Sequence, residues 1–364
     1  MKKIFSIFVF LLLSLFTTIA SAQFLKNECA TPSSTHDFMK DIAPGTYRTL
    51  TGMRVIKMYV VIYSDNDGSN PSIDEQTLKN EIAFSNTIYN QGSICFCIVG
   101  IEFRNSTSNN NPAVYQDYTS QQVSGAFTVF VVHSIDGNVD DTGTFGWSPA
   151  VISTYMVTKN AGFGTRRTFI HEMGHALGLD HTFKGTGHDA DNPGTDELVN
   201  GSNGSTAGDF VSDTPADPYN RCGTGINSCT FPYTAPSCAD ANNASYHPQM
   251  PNFMSYWPNY GCDRTIFTLG QFQRMRDAID NNSTLSVFLA PDNIDITNAT
   301  ISSGFVKQAA KYTMNIGNIG SAGNYTLTGT VQAAFSSNVI VLKPGFTATP
   351  TGTGVVRVLA STCQ

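Results

Sequence analysis

His171-Glu172-Met173-Gly174-His175-Ala176-Leu177-Gly178-Leu179-Asp180-His181 is the stretch from which the rest of the chain is read. His171 and His175 are four apart, so on an α-helix they share one face, a turn from each other. That spacing lets both imidazoles reach one Zn²⁺ at about 2.0–2.1 Å. Glu172, beside the first ligand, can contact a water on the metal. Gly178 readily takes the left-handed conformation that ends a helix, so the chain turns and His181 swings back as a third ligand. Three neutral histidines leave a fourth position open, as catalytic zinc sites do and closed structural sites do not. Three of the seven histidines lie in this segment. His133, His188 and His247 read as ordinary polar residues.

Working outward, a long helix over Thr165 to Leu179 is expected to carry the motif. Upstream, Met53 to Tyr63 is β-branched and aromatic and reads as a strand. Ser72-Ile73-Asp74-Glu75 has the form of a capping box. The helix it opens runs to about Asn90, with Leu78, Ile82, Ser85 and Tyr89 on one face. Ile94 to Phe103 and Phe127 to His133 read as two further strands. A β-α-β start implies a mixed sheet with a helix packed on it. From His181 to Trp257 almost nothing is periodic, and stretches of that length are usually functional or held by cross-links or ions. Thr268 and Gln271 cap another helix, to about Asp280, with Phe272, Met275 and Ile279 on its inner face.

After Pro291 charge nearly disappears, and Thr, Asn, Ser, Gly and Val dominate. That tail reads as short strands and turns with no clear fixed repeat. The fold class expected is α+β: a twisted mixed sheet with the histidine-bearing helix, an irregular stretch whose cysteines favour disulfides, and a small all-β C-terminal module. The expected divisions are 1–22, 23–50, 51–285 and 292–364.

The chain has 364 residues, of which 41% are hydrophobic and only 13% charged. The first figure permits a full core, and the second is about half the usual share. A net charge of −7 with no basic cluster excludes a nucleic-acid partner. Lys2-Lys3, the apolar run Ile4 to Ile19 and the small residues Ala20-Ser21-Ala22 form a cleavable signal peptide, with a mature start near Gln23. No other apolar run approaches the ~18 residues of a membrane span. All eight cysteines follow the leader: Cys29, Cys95, Cys97, Cys222, Cys229, Cys238, Cys262 and Cys363. An even number in an exported chain favours disulfides. Cys238–Cys262 and a local Cys222–Cys229 loop are expected in the lower lobe. Cys95 and Cys97 are expected on opposite strand faces, with different partners.

The extended histidine motif resembles the metzincin zinc signature. Asn252-Phe253-Met254-Ser255-Tyr256-Trp257 fits the Met-containing turn of that signature, with Met254 as the floor of the site and Tyr256 pointing back toward the metal. The resemblance narrows to the pappalysin family through His181-Thr182-Phe183, Asp213-Thr214-Pro215-Ala216, Asn252-Phe253-Met254-Ser255-Tyr256, and Phe267-Thr268 with Gln271, Arg274 and Met275. It spans roughly residues 50–283. It implies a metzincin-like catalytic domain, a zinc endopeptidase with an upper lobe of sheet and helices and an irregular, disulfide-containing lower lobe that also holds Ca²⁺. Asp209, Asp213 and Thr214 are the expected calcium ligands within the acidic loop that also contains Asp189, Asp191, Asp196 and Asp217. Cys29 resembles the pro-segment cysteine of latent metzincins, whose thiolate fills the open zinc position; a disulfide to Cys95 or Cys97 is the alternative. After Tyr256, Trp257-Pro258-Asn259-Tyr260 stand where other members carry acids, so their preference for basic substrate side chains does not carry over. Val339-Ile340-Val341-Leu342-Lys343-Pro344-Gly345-Phe346 resembles short β modules at the ends of secreted bacterial proteins.

The expected chemistry is hydrolysis of peptide bonds in extracellular proteins by a monomeric secreted enzyme. Zn²⁺ on His171, His175 and His181 activates water, Glu172 moves the proton, and Tyr256 helps Zn²⁺ hold the oxyanion. The competing readings are a catalytically silent surface adhesin with structural zinc, and a peptidase limited to small peptides.

Overall fold

The structure, a computed structural model, describes residues 31, 50–139, 143–164, 167–186, 196–219, 238–257, 263–320 and 322–360. Its centre is β1 (Arg54–Ser64), a nearly continuous apolar run. Strands buried on both faces read this way. Ile56, Met58, Val60 and Ile62 face one core, while Val55, Tyr59, Val61 and Tyr63 face another. Helix α1 (Glu75–Tyr89) crosses over to β2 (Ile94–Asn105), parallel to β1. The helix is capped by Asp74, which accepts from the amides of Gln76 and Thr77, and not by Ser72. Ser72 Oγ instead bonds the carbonyls of Tyr63 and Val131. The short α2 (Thr107–Asn110) then leads to β3 (Phe127–Val132), β4 (Gly146–Trp147) and β5 (Tyr155–Lys159). The five strands form one mixed sheet in the order β2-β1-β3-β5-β4, in which only β4 runs antiparallel.

Helix α3 (Thr168–Ala176) carries the histidine motif and is shorter than the sequence pattern suggests. Arg167, at φ 57°, starts it out of helical register, and the turn at Gly178 ends it. Between α3 and α4 (Leu269–Asn281) the described residues form turns and isolated bridges but no helix or strand. Thr268 and Gln271 make the capping box of α4. Phe272, Met275 and Ile279 on α4 join α3 and α1 in the core on the helical side of the sheet. A short α5 (Ser283–Ser286) follows.

Cys95 and Cys97 of β2 share one face of the strand, not opposite faces as expected. Residues two apart along a strand share a face, and Cys95, Cys97 and Val99 all lie in the core on the side away from α3. Cys95 and Cys238 are in disulfide form, whereas Cys97 is a thiol 2.8 Å from Ser336 Oγ. Cys29, Cys222, Cys229, Cys262 and Cys363, the signal peptide and most of the N-terminal extension lie outside the described residues.

Nine strands follow: β6 (Asn293–Ile296), β7 (Ala299–Ile301), β8 (Phe305–Ala309), β9 (Thr313–Ile316), β10 (Tyr325–Gly329), β11 (Gln332–Ser337), β12 (Val339–Leu342), β13 (Phe346–Pro350) and β14 (Val355–Ala360). They form three all-parallel sheets: β6-β9-β12, β7-β10-β13 and β8-β11-β14. Each circuit of the chain adds one strand to every sheet, the arrangement of a short three-sided β-helix. Ile296, Met314, Ile316, Leu327, Val331 and Phe335 fill its interior. The repeat is present in space but irregular in length. Thr313 follows its partner Asn293 by 20 residues, and Val339 follows Thr313 by 26.

This module rests on the back of the five-stranded sheet. Ala309 of β8 enters the Cys95–Val99 core, and Lys307 Nζ lies 4.5 Å from the Tyr59 ring centre. The connecting segment pairs with β1 ahead of the point where β3 begins: Lys57 N donates to Phe288 O and Ala290 N to Val55 O, each at 2.8 Å. Among the described residues, no helix is long and apolar enough to cross a membrane.

Candidate metal centre

Helix α3 ends in two bonds that aim the third histidine. Gly178, at φ 105°, donates to His175 O, and Leu179 N donates to Gly174 O. This is the Schellman pairing, which takes the chain off the helix axis. Arg274 Nε, from α4, holds the Gly178 carbonyl at 2.7 Å. Lys184 Nζ bonds Asp180 at 2.9 Å, fixing the residue just before His181.

The turn brings His171, His175 and His181 together in the interior. His175 Nε2 lies 3.1 Å from both His171 Nε2 and His181 Nε2. Nδ1 of His171 faces Phe253 O at 2.6 Å, and Nδ1 of His175 faces Leu179 O at 2.7 Å. A carbonyl only accepts, so the proton of each ring sits on Nδ1 and Nε2 keeps its lone pair. Burial pushes His175 down to about 4 and His171 well below the ordinary histidine range, with the charge of Arg264 adding to the latter. Both are therefore neutral at pH 7, the form that binds metal. Inward-facing lone pairs this close repel unless a cation lies between them. Tetrahedral zinc ligands at about 2.0–2.1 Å would stand about 3.3 Å apart. The donor set fits Zn²⁺.

The Met-turn lies beneath. A Cβ on Gly174 would be 2.6 Å from Met254 Sδ, so the glycine between Glu172 and His175 is what lets the methionine pack against the helix. Asn252 and Gln271 exchange side-chain amide bonds at 3.0 and 3.1 Å, joining the turn to the start of α4. The Tyr256 ring centre is 4.8 Å from that of His181 and 5.8 Å from that of His171.

Two family models match. One, Peptidase M43, described as pregnancy-associated plasma protein-A, covers residues 145–280, from β4 to α4. The other, described as metallo-peptidase family M12B, reprolysin-like, covers residues 76–182, from α1 to just past the third histidine. The chain carries a pappalysin-family, metzincin-like metalloprotease domain. No curated protein matches the chain significantly. The metallopeptidase family matches, together with the histidine cluster, support zinc-dependent peptide hydrolysis.

In this pappalysin-type site Glu172 is fully buried. Its Oε2 accepts from Ser148 N at 3.1 Å, just past the edge strand β4, and from Thr31 Oγ1 at 2.7 Å. Ser148 N also donates to Thr31 Oγ1 at 2.7 Å. Sequence reasoning missed Thr31, and a lone threonine in an irregular segment offers no signal. Cys29, two residues earlier, lies outside the described residues.

The acidic loop divides by task. Asp209 and Thr214 are together, with Thr214 Oγ1 2.9 and 3.0 Å from the Asp209 oxygens. Asp213 is turned elsewhere: it accepts from Thr268 Oγ1 at 2.6 Å and Gly270 N at 2.9 Å, capping α4. A carboxylate suits that helix N-terminus. Glu197, which the sequence did not single out, lies near Asp209. Both its carboxylate oxygens are buried without a hydrogen-bond partner. Gly204 and Gly208 press against them, and a Cβ on Gly208 would run into Oε2. Burial pushes both Glu197 and Asp209 far above the usual carboxylate range, and the charges of Asp209 and Asp217 add to the shift on Glu197. Asp189 and Asp191 lie outside the described residues.

Proposed function

We propose that the chain is a secreted zinc endopeptidase that cleaves extracellular proteins, with Glu172 as general base. The observation that carries this reading is the convergence of three Nε2 lone pairs beside a buried glutamate. His171, His175 and His181 would hold the zinc, which supplies Lewis-acid polarisation of water and of the scissile carbonyl. Glu172 takes the proton of the attacking water on a carboxylate oxygen and delivers it to the departing amine nitrogen. The Tyr256 hydroxyl donates to the developing oxyanion. Ser148 N–H orients the Glu172 carboxylate. An extended substrate adds to the edge strand β4 by backbone pairing. Secretion rests on residues 1–22 alone.

The contact of Thr31 with Glu172 supports synthesis as a latent precursor. The N-terminal segment then occupies the catalytic carboxylate until it is cut away, with Cys29 supplying a thiolate to the fourth zinc position. Ca²⁺ is the proposed occupant at Glu197, Asp209 and Thr214, because an all-oxygen set with two unbonded carboxylate oxygens suits a hard cation. The β-helix is proposed as a folded module, residues 292–364, that caps the back of the catalytic domain at 51–285.

The test is digestion of a denatured protein by the mature chain, with and without a zinc chelator, reading fragments by mass. Internal fragments that vanish with chelator and return with zinc support the endopeptidase. Cleavage of short peptides alone would favour the small-peptide reading. Inactivity of a zinc-loaded chain lacking residues 23–50 would favour the adhesin.

A further inference from the structure

We propose that Asp217 is a positioning residue that sets Tyr256 and the His181 turn in a common register; this rests on the peptidase reading above. The argument starts from the backbone. Residues 181–186 and 252–257 lie in no α-helix or extended strand, only a single bridge at Asn252, yet they must place a histidine nitrogen and a tyrosine hydroxyl with sub-ångström accuracy. Asp217 is 1% exposed, and its two oxygens receive four donors. Thr182 Oγ1 donates to Oδ2 at 2.6 Å and Ser255 Oγ to the same atom at 2.8 Å. Trp257 Nε1 donates to Oδ1 at 2.9 Å and Tyr219 N at 3.1 Å.

The identity of the donors matters more than their number. Thr182 directly follows the third histidine. Ser255 and Trp257 stand on either side of Tyr256, so one carboxylate brackets the tyrosine from both neighbours. Tyr219, just past Asp217 in the chain, puts its ring 5.5 Å from the Tyr256 ring. Thr182 N also donates to Met254 O at 3.1 Å, so the two segments are already adjacent and Asp217 fixes their relative setting. Bonds to a charged acceptor are about twice as strong as neutral ones, and four of them leave the carboxylate little freedom.

Asparagine is the informative replacement. Trp257 Nε1 and Tyr219 N can only donate, so they would keep the amide oxygen, while the Thr182 and Ser255 hydroxyls would have to reverse and accept from the amide nitrogen. The cage keeps its shape but loses its charge-assisted bonds. The experiment compares kcat and KM of the zinc-loaded mature enzyme, Asp217→Asn, Tyr256→Phe and the double variant on one peptide, and measures zinc affinity by chelator competition. Outer-shell partners of this kind are worth about 10–100-fold in activity or metal affinity. Asp217→Asn is expected to lower kcat at least about 10-fold with KM changed less than about 3-fold, and to weaken zinc several-fold. In the Tyr256→Phe background the same change should cost less than about 3-fold, because its target is already gone.

Equal losses in both backgrounds, with zinc affinity unchanged, would overturn the proposal and leave Asp217 a purely structural residue. If the wild-type enzyme binds zinc but cleaves nothing, the peptidase reading fails by itself. The affinity arm then still decides whether Asp217 sets the His181 turn: unchanged zinc affinity would overturn the proposal.

Discussion

The zinc lobe and the β-helix are held together in opposite ways. Around the zinc site the backbone is largely irregular, and named side chains do the holding: Asp217 across two loops, Gln271 to Asn252, Arg274 to the Gly178 carbonyl. In the β-helix nearly every link is a backbone ladder between parallel strands, and the side chains need only alternate in and out. The first region depends on residue identity at fixed spacing. The second depends on shape, and many residues satisfy it.

The contrast is sharpest under mutation. Glu172→Gln should abolish proteolysis by about 10³-fold or more with zinc still bound, since it removes the proton carrier alone. Residual activity above about a tenth of wild type, with zinc content verified, would break the assignment. Phe335→Ala, in the β-helix interior, should cost about 3–5 kcal/mol of module stability. Calorimetry should show the module melting earlier while peptidase activity below that temperature is kept; a matching loss of activity would mean the two regions are one cooperative unit.

Next in size is the carboxylate pair of the lower lobe. Glu197 and Asp209 have folded pKa values raised by burial above the unfolded values near 4. A group raised on folding stabilises the fold below its unfolded pKa, and that contribution is lost as pH rises through the folded value. Metal-free protein should therefore lose thermal stability from about pH 5 to about pH 9. Ca²⁺ should restore it most at the alkaline end, and a calcium effect equal at both ends would count against the site. A smaller change is expected from Thr31→Ala in the unprocessed chain: basal cleavage should rise about 10-fold, the lower end of the worth of one charge-assisted hydrogen bond. A precursor as silent as the parent would remove Thr31 from the latency argument. Smallest of all, Thr347→Ser on the exposed β13 should shift stability by less than about 0.5 kcal/mol.

The same contrast explains what could be read before folding. The histidine motif, its glycine-ended helix and the Thr268–Gln271 box are local, so their spacing is visible along the chain. Asp213 and Asp217 were not separable, because what distinguishes them is a partner far off in sequence: Thr268 for one, Ser255 and Trp257 for the other. Glu197 gave no sign at all, since its environment is made by two glycines and by burial. Ser72 satisfied the capping-box spacing, yet its hydroxyl was claimed by the carbonyls of β1 and β3, and Asp74 took the cap. The β-helix was hidden because its circuits differ in length, so no period survives in the sequence even though the strands register in space.

The short pairing between Ile56 and Leu289 also orders events in time. Leu289 comes 233 residues after Ile56. A chain made from its N-terminus therefore leaves the first half of β1, already paired with β2 on one side, open on the other until Leu289 has emerged. Long-range closure of this kind is slow. The five strands of the sheet lie within residues 54–159, so what comes late is the cover on this one edge of β1, after the histidine helix and the acidic loop have both been synthesised.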